Sequence, residues 1–238
     1  MELAPFPEDW TTALCVAAHP DDLEYGTAAA VARWTGQGKT VTYALATRGE
    51  AGIDTMTPDE AAPVREQEER DGARRVGVDV VEFLGLRDGT VEFGLPLRRA
   101  IAAEIRRRRP EVVLTLTPEV SFPNGMLNQA DHRAVGLATL DACADAGNRW
   151  IFPELTEQGL EPWSGVRWIA VVASAHPTHE VDVTENFEDG VASLEAHAQY
   201  NAALGPDFPT PRQIMEMVLA DPERPGVYRL AVQLFGRG

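Results

Sequence analysis

The chain has 238 residues, 44% of them hydrophobic and 24% charged, with a formal net charge of −16 and a pI near 4.7. That length fits one large α/β domain with a substantial core. So acidic a surface repels phosphate backbones and anionic lipid, which argues against nucleic-acid and membrane partners. Met1 to Trp10 carries neither a basic nor an apolar leader region, and no apolar run reaches membrane-spanning length. The two cysteines, Cys15 and Cys143, cannot build a disulfide framework. They are expected as small buried thiols in a reducing compartment, so the expected location is the cytoplasm.

Apolar runs and helical patterns alternate along the first two thirds of the chain. Ala13 to Ala18 reads as a buried strand, and Gly26 to Trp34 as an alanine-rich helix. Val41 to Ala46 is a second strand, and a long amphipathic helix from about Asp59 to Arg75 leads to a third, Val80 to Leu84. Leu97 to Arg108 is helical, is stopped by Pro110, and feeds the strand Val112 to Leu116. His132 to Ala146 is a further helix, Val166 to Ala173 a strand, and Phe187 to Ala203 a late helix. Short continuous apolar strands separated by helices predict a single Rossmann-like α/β domain, its mostly parallel sheet flanked by helices on both faces. One domain is expected over residues 1–238, with 205–238 an irregular, proline-rich extension. Its final apolar stretch, Val227 to Phe235, either finishes the sheet or packs on a neighbouring subunit of a homo-oligomer.

Two short segments carry the chemistry. His19-Pro20-Asp21-Asp22 directly follows the first strand and precedes a glycine-led helix. An imidazole and a carboxylate converging from such a turn suit Zn²⁺ with a position left open for water. Two adjacent aspartates diverge, so one serves as ligand and the other as proton acceptor. Against this stands capping of the next helix by Asp21 or Asp22. Asp131-His132-Arg133 closes the long loop Thr117 to Ala130. Long loops at the carboxyl ends of parallel strands are where such sheets bind ligands. A histidine at a helix start there can reach a ligand held at the first strand, although a lone histidine at such a place more often caps the helix or faces solvent.

The run Ala18-His19-Pro20-Asp21-Asp22-Leu23-Glu24-Tyr25-Gly26, with Asp131-His132-Arg133-Ala134-Val135-Gly136, resembles the LmbE / PIG-L family of zinc-dependent N-deacetylases. The resemblance extends in order through Thr47 to Gly52, Phe83 to Gly89, Arg109 to Thr115 and Thr178 to Thr184. It implies a Rossmann-like enzyme that removes an acyl group, usually acetyl, from an amino sugar or its N-acetylglucosaminyl conjugate. His19, Asp22 and His132 would then hold one Zn²⁺ per chain, with another divalent ion such as Fe²⁺ able to replace it. Asp21 would be the general base, and Glu50, Arg65 and Asp88 substrate contacts. One departure stands out: Gln129 occupies the place of a histidine found in many members. Gln129 can donate a hydrogen bond to an oxyanion but cannot carry a proton, and losing a preorganised donor costs about a hundredfold in rate.

Other readings compete. A dinucleotide-binding Rossmann protein needs a glycine-rich phosphate turn after the first strand, where this chain has two carboxylates. A thiol-conjugate amidase of the same fold, and a relative that binds metal but turns over poorly, both stay open. His176 and His179 are expected in a turn and a strand, His197 as a packing or surface residue, and Arg106 to Arg109 as a solvated helix end.

Overall fold

In the computed structural model, which describes residues 3–237, the sheet grows outward from β2 (Thr12–Ala17). Side chains alternate across a strand, and here the alternation sorts β2 between two cores. Cys15 and Ala17 join one apolar cluster, while Leu14, Val16 and Ala18 join the other. The first cluster is covered by α1 (Thr27–Gly36), α6 (Phe187–Glu195) and α8 (Pro211–Leu219), through residues such as Trp34, Leu194 and Met215. The second is covered by α3 (Leu95–Arg108) and α4 (Ala130–Gly147), through Ile101, Ile105, Val135 and Ala142. Each fully buried leucine or isoleucine in these layers contributes about 1.5–3 kcal/mol. Apolar runs without polar alternation are what a sheet covered on both faces requires.

β2 pairs in parallel with β3 (Thr40–Leu45) on one side and β5 (Val112–Leu116) on the other, and β3 pairs with β4 (Val80–Phe83). The helix α2 (Pro58–Arg75) connects β3 to β4. After β5 the chain passes through α4 and the short α5 (Pro153–Glu157) to β6 (Trp168–Val172), which pairs with β5 in parallel. β8 (Arg229–Gly236) then runs antiparallel between β6 and β7 (His179–Asp182), and the short β1 (Ala4–Pro5) closes that edge. The order is β1-β7-β8-β6-β5-β2-β3-β4. Because the chain leaves β2 first towards β3 and later returns on its other side as β5, the strand order reverses between β2 and β5. The crevice at their carboxyl ends is therefore the expected ligand position.

The mostly parallel α/β sheet matches the expectation from sequence. Two local readings need correction. The segment 205–238 is not irregular: Thr210 and Gln213 form a capping box with Pro211 in the first turn, which starts α8, and β8 completes the sheet. The late helix is also broken, into α6 and α7 (Ala198–Ala203). At the break the Leu194 carbonyl accepts both the His197 N–H at 3.2 Å and Asn201 Nδ2 at 2.9 Å, which ties α7 back to the end of α6. Of the arginine cluster, Arg106 is buried rather than solvated and donates to the carbonyls of Ala146, Asn148 and Ile151. Both cysteines are unpaired and buried. Among the described residues, no helix is long and apolar enough to cross a membrane.

Candidate active site

The His19 to Asp22 turn is built by its own carboxylate. Asp22 Oδ2 accepts the backbone N–H groups of Ala18 and His19 at 3.0 and 2.9 Å, leaving Oδ1 free to face inward. Neither aspartate caps α1, whose N-cap is Gly26 with no side-chain bond. Asp21 sits at φ 88°, a left-handed conformation that a non-glycine residue adopts only when its surroundings over-determine it. Here its N–H donates to Glu69 Oε2 at 3.0 Å, and its Oδ1 accepts from Arg65 Nη2 at 3.1 Å.

His132 arrives from the other side of the switch point, in the first turn of α4. The helix packs unusually close to β5 at Gly136, where an added Cβ would stand 2.5 Å from the Leu116 carbonyl oxygen. Any side chain there would push the helix, and His132 with it, away from β2. His132 Nδ1 lies 3.0 Å from Asn128 Oδ1, an acceptor, which makes Nδ1 the protonated nitrogen. His19 Nε2 lies 3.1 Å from Asp88 Oδ1 and 3.3 Å from Asp131 Oδ2, so by the same reasoning Nε2 carries the ring proton and donates it to these carboxylates. Asp131 is itself fixed by the N–H groups of Gly89 and Val91 at 2.8 and 3.1 Å.

These outer bonds leave the two remaining ring nitrogens as bare acceptors, and they face one another. His19 Nδ1 and His132 Nε2 are 3.1 Å apart, with Asp22 Oδ1 3.0 Å from the latter. Three acceptors in mutual contact repel unless a cation joins them. Two imidazole nitrogens and a carboxylate oxygen are a donor set that suits zinc, and each histidine is oriented by a second partner, as metal-bound histidines commonly are. The residues therefore fit a divalent ion. The surrounding carboxylates likewise favour positive charge at this point. Burial opposes protonation of His19, yet the Asp131, Asp22 and Asp88 carboxylates outweigh it and raise its pKa well above the usual value. Burial likewise opposes ionisation of Asp22, but His132 and His19 hold its carboxyl well below the normal range. For Asp21, burial pushes the pKa up to about 6 against the pull of Arg65.

The remaining residues singled out in the sequence take different places. Asp88 touches His19 directly and accepts the Ala51 N–H at 2.8 Å. Glu50, half-buried, accepts the N–H groups of Asp88 and Arg48 at 3.0 and 3.2 Å, so it braces the loops after β3 and β4. Arg65 is only 1% exposed, lies on Asp21 and the Pro20 carbonyl, and stacks on Tyr200 at 3.5 Å. Its guanidinium faces Asp21 and not solvent. Gln129 is exposed at the N-cap of α4 and caps nothing with its side chain. His176 is exposed and His179 opens β7. His197 is not at the surface: it is fully buried, against Glu24 and Glu69.

Sequence reasoning missed Asn128, Glu69 and the orienting part of Asp131. Asp131 adjoins His132 and was within reach of the motif. Asn128 and Glu69 acquire their partners only through tertiary packing, and nothing in their local sequence marks them.

A Rossmann-like sheet with a candidate divalent-metal group at its switch point defines the class of protein. Residues 14–143 match the family model described as PIG-L: GlcNAc-PI de-N-acetylase. A diacetylchitobiose deacetylase of Thermococcus kodakarensis is 27% identical over 199 residues, which are 81% of this chain and 71% of that one. A probable N-acetyl-alpha-D-glucosaminyl L-malate deacetylase 2 of Bacillus anthracis is 32% identical over 138 residues, 55% of this chain and 58% of that one. Among solved structures, the N,N'-diacetylchitobiose deacetylase from Pyrococcus horikoshii superposes with a TM-score of 0.84 at 22% identity, over 96% of this chain and 85% of that one, which establishes the shared fold. The chain belongs to the PIG-L family, and its relatives named here are deacetylases, hydrolases of an amide bond.

Proposed function

We propose that this chain is a zinc-dependent N-deacetylase that cleaves the acetamide of an acetylated amino sugar or its conjugate. The observation that carries the reading is the meeting of two bare imidazole nitrogens and a carboxylate oxygen beside Asp21, at the switch point of the sheet. A zinc ion held by His19, Asp22 and His132 would supply Lewis acidity for the acyl carbonyl and for the attacking water. Asp21 accepts the proton of that water at its carboxylate and returns it to the departing amine. Arg65, stacked on Tyr200, holds one Asp21 oxygen and fixes the plane of the carboxylate. Asp131 and Asp88 hold the His19 ring, and Asn128 holds that of His132. Glu50 and Asp88, in the loops after β3 and β4, rim the site where a sugar would lie.

One observation favours a second reading, a metal-binding relative with weakened turnover. Gln129, which replaces the family's histidine, is exposed and makes no side-chain cap bond. Acetate release from N-acetylglucosamine, diacetylchitobiose and N-acetylglucosaminyl conjugates separates the two. Release that disappears in the Asp21→Asn variant supports the deacetylase. Zinc-loaded protein that releases no acetate from any of these substrates contradicts it.

A further inference from the structure

Beneath Asp21 lies a second group of metal-type side chains with no part in the chemistry above. Glu24, in the turn before α1, Glu69 on α2 and His197 at the α6–α7 break are each 0% exposed. His197 Nε2 stands 3.8 Å from Glu24 Oε2 and 3.8 Å from Glu69 Oε2, too far for hydrogen bonds. One ligand atom from each of the three lies within 4.8 Å of the others. Glu24 Oε2, Glu69 Oε1 and both ring nitrogens of His197 have no partner, although buried polar groups nearly always find one. The space between them is kept open by Gly72, where an added Cβ would come to 3.2 Å from His197 Nε2 and 3.3 Å from Glu24 Oε1.

We infer that Glu24, Glu69 and His197 hold a second divalent transition-metal ion, enclosed in the fold and separate from the catalytic one. Two carboxylate oxygens and an imidazole nitrogen are suitable donors for such an ion. Donor atoms 3.8 Å apart, as His197 Nε2 is from each glutamate oxygen, can share one ion at zinc–oxygen and zinc–nitrogen lengths of about 2.0–2.2 Å. At 3.8 Å no hydrogen bond joins the histidine to either glutamate, whereas one cation answers both carboxylates and Nε2 together. The ion would tie the turn before α1, α2 and the α6–α7 break together. Through Glu69 Oε2, which accepts the Asp21 N–H, it would also anchor the left-handed turn at Asp21. Its function is therefore structural, and no substrate needs to reach it.

The test is anomalous diffraction at the zinc edge, on crystals of the full chain purified from zinc-supplemented medium. Two peaks are expected in the wild type, one among His19, Asp22 and His132 and one among Glu24, Glu69 and His197. In His197→Ala the inner peak should vanish while the outer one stays, and in His132→Ala the reverse should hold. Inner density without an anomalous signal, such as a water, overturns the inference whether or not the outer site is filled. The outer peak reports separately on the proposed function, and the wild-type map decides even if a variant does not fold.

Discussion

Two triads of metal-type side chains flank Asp21, and they are built differently. In the outer one, His19 and His132 each have the nitrogen that faces away from the triad fixed by Asp88, Asp131 or Asn128, and the residues stay 7–8% exposed. In the inner one, His197 has neither nitrogen fixed and nothing reaches solvent. The difference separates a site prepared for chemistry from one that is only enclosed. Ligand orientation by a second set of partners, with an opening to solvent, marks the catalytic type, whereas enclosure alone suits a structural role.

Four variants sharpen or break that contrast, taken from the largest expected effect down. Asp21→Asn should lower kcat by about 10²–10⁴-fold while zinc content stays at the wild-type level, since general base catalysis is worth that much. Steady-state acetate release beside elemental analysis checks it, and zinc loss would assign Asp21 to the ligand set instead. Arg65→Met leaves a buried carboxylate without its partner and should cost about 3–5 kcal/mol of stability, read from denaturant unfolding. A change below about 1 kcal/mol would mean that Arg65 is not what compensates Asp21. Asp131→Asn should weaken zinc binding by about 10–100-fold through the loosened His19 ring, measured by competition with a chromophoric chelator. Unchanged affinity would show that Asp88 alone orients His19. Ser193→Ala removes the hydroxyl that donates to the Gly72 carbonyl at 2.9 Å and lies 3.3 Å from Glu24 Oε1. It should cost about 1 kcal/mol in thermal unfolding and leave outer zinc affinity untouched, and a fall in that affinity would mean the two triads are coupled.

How far the sequence revealed this molecule depends on whether a residue's partner lies nearby in the chain. His19 and Asp22 share one turn, and His132 opens a helix after a strand-end loop, so patterning put them within reach of one another and the family resemblance joined them into one ligand set. The strand Val112–Leu116 was legible to its ends because its apolar run is bounded by Pro110 on one side and a polar loop on the other. Arg65, by contrast, was expected as a substrate contact only through the family resemblance, and the packing of α2 against the His19–Asp22 turn is what reveals that it faces Asp21. His197 looked ordinary because nothing local announces that the chain breaks there and turns its ring inward. The C-terminal segment was obscured by its prolines, yet Thr210-Pro211-Arg212-Gln213 carries a capping box that could have placed α8.

The outer triad is the centre of the proposed chemistry, and its most direct measurement is zinc per chain in the wild type and in a His19→Ala, Asp22→Ala double variant, each checked for folding by circular dichroism. The structure predicts that the folded double variant loses one equivalent of zinc together with all acetate release. A double variant that keeps the wild-type zinc content, or a wild type that binds no divalent ion after metal-replete purification, would contradict it.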